Sequence, residues 1–205
     1  MPAIQTANDL RGYLYRRLQY INQCYAEIQS KLSDDANDLL QKIDDGDCNV
    51  NDPVVGEIIY NLDFVVGYTF RYTMLVGVCS FLEESVKAIT ELVLKAEYKA
   101  KINAHKRVSW LDKHIRALSE DDSKKWNTIQ SNLNTFRDLV TLRNCVVHTW
   151  GKVAGTKKPS EVRRAADRIE TADISADGYL IFGDQVVPTA IIAAENITEH
   201  LIALM

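Results

Sequence analysis

Nothing in this sequence supplies a disulfide ladder or a zinc framework. Its four cysteines, Cys24, Cys48, Cys79 and Cys145, lie far apart, with no CxxC pair and no Cys/His grouping at zinc-finger spacing. Scattered thiols of this kind are expected to be buried and reduced, which points to the cytoplasm. An excess of positive charge is missing as well. A net charge of −4 argues against a chain coated for non-specific nucleic-acid binding, while leaving room for a local basic patch. Residues 1–6 have neither the basic start nor the apolar run of a signal peptide. Repeats, low-complexity tracts and a separating linker are also lacking. With 46% apolar and 25% charged residues, the 205 positions read as one helical domain, 1–205, in which 1–50 forms an N-terminal helical extension.

A long uncharged run is nearly present. Residues 64–82 hold one charge, Arg71, in nineteen positions. A central arginine costs about 2.5–3.5 kcal/mol on insertion into a bilayer. Asp63 and the Glu83-Glu84 pair bracket the run, and the same helical stripe continues into charged sequence on both sides. A buried core helix is therefore expected, and no membrane partner.

What the chain does have is helical periodicity. Leu10, Leu14, Leu18, Ile21, Tyr25, Ile28 and Leu32 repeat at three- and four-residue steps over about 8–43, with Ser33-Asp34-Asp35 expected to cap a second helical piece. Residues 44–52 read as an acidic loop without the ordered ligand positions and closing Glu of a calcium-binding EF-hand. A long helix is predicted over 53–101, its stripe running Val55, Ile58, Ile59, Leu62, Val65, Val66, Leu75, Val78, Cys79, Leu82, Val86, Ile89 and Val93. A short helix follows at 110–118. Ser119-Glu120-Asp121-Asp122 has the composition of a helix start. The helix it opens carries Trp126, Ile129, Leu133, Phe136, Leu139, Val140 and Val147 and should stop near Gly151. Residues 152–158 form a loop, and Ser160 is a predicted cap for a basic helix with Arg163, Arg164 and Arg168. A hairpin at 174–182 turns at Asp177-Gly178, and Pro188 opens the last helix. The expected fold class is all-α, an antiparallel helical bundle with one small C-terminal β-hairpin.

Where the Leu133-to-Val147 helix should stop, Arg143-Asn144-Cys145-Val146-Val147-His148 gathers a fixed cation, an amide and a histidine, followed by Thr149-Trp150-Gly151. The four-residue step puts Asn144 and His148 on one face. Arg143, about 100° round from Asn144, is predicted to meet His148 at a shared edge. One reaction suits this set. RNA is cleaved when its 2′-hydroxyl attacks the adjacent phosphorus, a step that needs a proton acceptor, a proton donor and a cation for the phosphorane charge. Histidine moves the proton, arginine holds phosphate oxygens with two bonds, and asparagine orients either. The step calls for no metal and no cofactor. One helix end supplies one histidine and one arginine, so two copies about a two-fold axis make the economical site.

These six residues match the RNxxxH form of the Rx4-6H motif, and the chain resembles the HEPN domain family. In a chain of this composition the three-residue form is expected by chance only about 0.01 times. Residues 80–87, Ser80-Phe81-Leu82-Glu83-Glu84-Ser85-Val86-Lys87, are similar to the helix that packs against the motif helix in that family. Residues 174–204 look like the strand, Asp-Gly turn, strand and final helix that end many members, and the similarity spans about 55–205. The resemblance implies a metal-independent endoribonuclease with Arg143 and His148 catalytic, Asn144 supporting and Glu83 a further candidate. It also implies RNA as substrate, a homodimer with a composite site, an antitoxin or regulatory protein as partner, and a role as toxin or phage-defence effector. In members paired with a nucleotidyltransferase antitoxin the motif continues H-x-Tyr, and that tyrosine is adenylylated. Here the sequence is His148-Thr149-Trp150, which has no hydroxyl at that position, so this form of control is closed.

Lys152, Lys157, Lys158, Arg163 and Arg164 are the candidate RNA contacts, with Arg168 beyond them. Glu161, Asp167 and Glu170 dilute their charge, so a solvated amphipathic face is an equal reading. Other structural alternatives stay open. Arg143 can pair with Glu83 or Glu84, His148 can cap helix carbonyls, and Asn144 can bond backbone. Trp150 is expected as a core or interface aromatic ahead of a base-stacking platform. His105, His114 and His200 show no ligand spacing and read as surface or packing residues. The alternative function is a non-catalytic HEPN-like helical module that binds a protein or nucleotide partner.

Overall fold

Apolar residues recurring at three- and four-residue steps give helices through most of the chain in the computed structural model, which describes residues 7–49, 51–105, 108–119 and 125–203. In order these are α1 (Ala7–Asp44), α2 (Pro53–Tyr60), a π-helical stretch (Asn61–Tyr68), α3 (Thr69–Leu94), α4 (Tyr98–Ala104), α5 (Trp110–Ser119), α6 (Gln130–Thr149), α7 (Pro159–Arg168) and α8 (Val186–Ala203). Between α7 and α8, strands β1 (Ala172–Ile174) and β2 (Leu180–Phe182) pair antiparallel with Asp173 opposite Ile181. The fold is all-α with a small hairpin, as the periodicity predicts.

Helix α3 is the hub, with α1, α5, α6 and α8 packed against it. Leu75, Val78, Cys79, Leu82, Val86 and Ile89 are sealed from solvent along it, together with Leu139 and Leu142 of α6 and Ala190, Ala194, Ile197 and Leu201 of α8. Each fully buried Leu, Val or Ile stabilises by about 1.5–3 kcal/mol, which explains the near-absence of charge in this stretch. Among the described residues, no helix is long and apolar enough to cross a membrane. The one charge in the run has a structural task. Arg71 donates from its guanidinium to the Phe182 carbonyl at 3.2 Å, and the neighbouring Tyr72 hydroxyl donates to the Leu180 carbonyl at 2.5 Å. Two adjacent residues of α3 therefore hold β2, and the Tyr72 ring meets Phe182 edge-on at 4.9 Å.

Several boundaries differ from the periodicity-based expectation. Helix α1 runs unbroken through Ser33-Asp34-Asp35, spanned by a Lys31–Asp35 ion pair at 2.6 Å one helical turn apart. The long helix stops at Leu94, where Lys95 takes φ +47° and starts a 3₁₀ turn (Lys95–Glu97) before α4. Ser119 closes α5 instead of opening the next helix. Glu120, Asp121 and Asp122 lie outside the described residues, and α6 follows a 3₁₀ turn over Lys125–Ile129. Ser160 does not cap α7: Pro159 sits in the first turn, where its missing N–H costs nothing, and Lys158 precedes it without a side-chain cap. In the acidic loop, Asp52 accepts from the Val54 N–H at 2.9 Å and caps α2. Among the described residues, no group of three or more His, Cys, Asp or Glu could hold a metal ion.

The predicted apolar stripes are also only partly buried. Ile28, Ile58, Val66 and Val93 face solvent, as does Val147. On α6 the buried positions are Leu133, Phe136, Leu139, Leu142 and Cys145, a strict three-residue step. At 3.6 residues per turn that step rotates the buried face backwards along the helix. By Cys145 the core lies nearly opposite Val147.

Candidate active site at the end of α6

The last turn of α6 ends where two successive residues enter the left-handed region, Trp150 at φ +53° and Gly151 at φ +81°. The N–H groups of both donate to the Cys145 carbonyl, which closes the helix. Gly151 is thus part of the stop, as expected, but a tryptophan takes the first left-handed position. Its indole is 88% exposed, so Trp150 is not a core aromatic. An L side chain in this conformation carries roughly 1–2 kcal/mol of steric strain. Trp150→Gly is accordingly expected to raise unfolding stability by up to about 1 kcal/mol. A fall in the urea midpoint would show that the indole is packed after all.

Gly151 is constrained from a second side. Its carbonyl accepts from the Leu180 N–H at 2.9 Å, and a Cβ built on it would stand 3.0 Å from the Tyr72 hydroxyl. The end of the motif helix is therefore tied to β2 and to α3. Gly151→Ala is expected to cost more than about 1 kcal/mol, through its positive φ and the contact with Tyr72. Urea unfolding of the variant checks this.

Arg143 and Asn144, one residue apart, diverge into two environments. Arg143 points towards α3. Its Nη2 donates to Glu83 Oε1 at 2.5 Å, its Nη1 donates to Asn144 Oδ1 at 3.1 Å, and its side chain is only 16% exposed. Glu84, the other acidic candidate, pairs instead with Arg17 of α1 at 2.9 Å. Behind the Arg143–Glu83 pair, burial pushes the Cys79 thiol up to about 12, against the opposing pull of Arg143. Cys79 therefore stays a thiol and is no nucleophile.

Asn144 and His148 face the other way, into an open groove of about 550 Å³ between α6 and the start of α7. The groove is also lined by Thr141, Cys145 and Thr149 on one side and by Thr156, Lys157, Lys158, Glu161 and Val162 on the other. His148 is exposed and makes no hydrogen bond among the described residues, so it does not act as a cap. Arg143 touches this groove only through Asn144. The expected shared edge of Arg143 and His148 is replaced by an arrangement in which the Asn144 amide lies between cation and histidine.

The basic candidates separate in the same way. Lys157 and Lys158 line the groove, with Lys158 Nζ 2.9 Å from Glu161 Oε1. Lys152 lies outside it, its Nζ 5.8 Å from the Tyr179 ring centre. Arg163 and Arg164 are exposed on α7 beyond the groove lining. Arg168 forms a two-pronged pair with Asp138 at 2.8 and 2.5 Å and ties α7 to α6. Of the other histidines, His114 is buried against Trp110 at 4.3 Å and His200 packs edge-on to Trp126 at 5.5 Å. Both are packing residues.

Thr141, Thr156, Glu161 and Val162 were not among the residues expected at the site. Thr141 carried a readable signal, since it stands three residues before Asn144 and seven before His148 on the same stripe. The other three come from across the groove and depend on the reversal between α6 and α7. No family model matches this chain, and no curated protein or solved structure matches it.

Proposed function

We propose that this chain is a metal-independent endoribonuclease of the HEPN type, acting on RNA in the cytoplasm as a toxin or phage-defence effector. The observation that carries the reading is the joint placement of Asn144 and His148 in a lysine-bearing groove, with the Arg143 guanidinium bonded to the back of Asn144. His148 takes the proton of the 2′-hydroxyl as that oxygen bonds to phosphorus, and a protonated imidazole returns one to the departing 5′-oxygen as its bond to phosphorus breaks. The products are a 2′,3′-cyclic phosphate and a 5′-hydroxyl. Arg143 supplies positive charge to the phosphorane, oriented by Glu83 and Asn144. Lys157 and Lys158 supply positive charge for the bound RNA strand. A second copy supplies a second histidine and arginine. Val147, one turn after Arg143 on α6, and Trp150 just beyond the end of the helix leave apolar surface for such a partner.

The test is RNA cleavage by the purified chain in EDTA, with the product ends identified. Cyclic phosphate formed by the wild type and lost in His148→Ala supports the reading, whereas an intact RNA after prolonged incubation with a folded protein sinks it. Growth of a bacterial host expressing wild type against His148→Ala examines the toxin role. A second reading, a non-catalytic HEPN-like module for a protein or nucleotide partner, is favoured by one observation. The Arg143 guanidinium is already engaged by Glu83 and turned away from the groove. That reading expects partner capture without cleavage and no dependence on His148.

A further inference from the structure

The groove beside His148 has a hydrogen-bonding character that its residue types alone do not reveal. Three threonine hydroxyls line it, and each already donates its proton to a backbone carbonyl: Thr141 to Arg137 at 2.9 Å, Thr149 to Cys145 at 2.7 Å and Thr156 to Val153 at 2.8 Å. A hydroxyl committed in this way can offer a ligand only its lone pairs. Glu161 adds a carboxylate, which also only accepts. Alongside it, Lys158 supplies a donor 2.9 Å from Glu161 Oε1, and Cys145 and Val162 are the nearly buried apolar members of the lining. A volume of about 550 Å³ lies in the range that holds one compact organic ligand, roughly 300–1,000 Å³.

We propose that this groove is a base-reading subsite that takes one unstacked guanine of single-stranded RNA, next to the phosphate cut under the reading above, on which this proposal rests. Beside the donors Asn144, Lys157 and Lys158, the threonine and Glu161 acceptors select for N–H donors. Guanine offers the most, with N1–H and the N2 amino group side by side on its Watson–Crick edge and the O6 acceptor adjacent. The Glu161 carboxylate matches N1–H and N2–H, and Lys158 matches O6. Adenine and cytosine each present one amino group beside an acceptor nitrogen that the carboxylate repels. Uracil presents one N–H between two carbonyl oxygens. The face of any base is apolar and similar in shape, so selection rests on the edge contacts. In duplex RNA this edge is occupied by pairing and the base is held in the stack, which restricts the subsite to unpaired strands.

Binding to full-length His148→Ala separates this proposal from cleavage. Labelled hexauridine carrying a single G, A, C or inosine, with hexauridine itself as reference, is titrated by fluorescence anisotropy. The G oligonucleotide is expected to bind about tenfold tighter than the A, C or U forms, the scale of one good two-bonded base contact. Inosine, which lacks the N2 amino group, should fall between. Glu161→Gln should bring all of them within about threefold of each other, and the same G placed in a hairpin stem should bind at least tenfold more weakly than in the single strand. Equal affinities in His148→Ala, or a guanine preference that survives Glu161→Gln, overturns the subsite. If the wild type cleaves no RNA but the binding preference holds, the ribonuclease reading alone has failed. If it cleaves every unpaired nucleotide equally and binds without preference, the subsite alone has failed.

Discussion

His148→Ala is expected to slow RNA cleavage by about 10²- to 10⁴-fold, the usual contribution of a positioned general acid–base. The same change should leave unfolding stability within about 0.5 kcal/mol, because the side chain is exposed and unbonded among the described residues. That contrast makes His148 the cleaner probe of the two motif ends. Arg143→Ala should cost about 10²- to 10³-fold in rate, but it also strands Glu83, so its effect mixes chemistry with folding. Arg143→Lys separates these contributions. It keeps a cation opposite Glu83 yet loses the planar fork that reaches Glu83 and Asn144 at once. Rates of cyclic-phosphate formation should therefore fall well below wild type in Arg143→Lys while its urea midpoint stays close to wild type. A His148→Ala protein that cleaves within threefold of the wild-type rate would remove the histidine from the mechanism. Recovery of full activity in Arg143→Lys would reduce Arg143 to a point charge.

The parts of this architecture that could be read in advance are those where one register persists. Leu75, Val78, Cys79, Leu82, Val86 and Ile89 lie on a single face of α3 because neighbours sit at a fixed position around it, so a 3.6-residue pattern describes them. The hairpin was legible for a similar reason: Gly178 takes φ +80° in the turn, a conformation glycine adopts at little cost. On α6 the register drifts, and pattern reasoning fails where it drifts. A three-residue burial step cannot be told from a mixed three-and-four step over so few turns, so the pattern puts Val147 on the apolar stripe and passes over Leu142. The divergence of Arg143 from His148 has the same origin. Their angular relation on the helix followed from the spacing, but which side meets α3 and which side meets α7 is set by tertiary packing. Ser33-Asp34-Asp35 and Ser160 misled because short polar residues favour helix caps without requiring them. At Ser33 the helix runs on beneath an exposed Lys31–Asp35 ion pair, and at Ser160 a proline one residue earlier has already started it.

Acidification below neutral pH is expected to destabilise the fold through a residue remote from the groove. His114 is 2% exposed, its ring tilted against Trp110 at 4.3 Å and 5.9 Å from the Tyr98 ring centre, with an Nδ1 that has no hydrogen-bond partner among the described residues. Burial first, then the positive charges of Lys113 and Lys87, depress its imidazole from 6.5 to about 4. The folded state thus resists a proton that the unfolded chain accepts. This contribution is fully present above pH 6.5 and is lost as pH falls from 6.5 towards 4. A depression of that size corresponds to a loss on the order of 3 kcal/mol across the window, a large share of the 5–15 kcal/mol that typically holds a domain together. The measurement is urea unfolding of wild type and His114→Leu at pH 7 and pH 4.5. Carboxylates contribute a slope common to both proteins, so the difference between them isolates the histidine. The wild type should lose about 2 kcal/mol more than the variant over this interval. Leucine removes an unpartnered polar atom while keeping an apolar side chain between the rings, so the variant should remain folded at pH 7. Parallel losses in the two proteins would mean that the imidazole gains a proton without cost, and that α5 opens to solvent at His114 well before the core does.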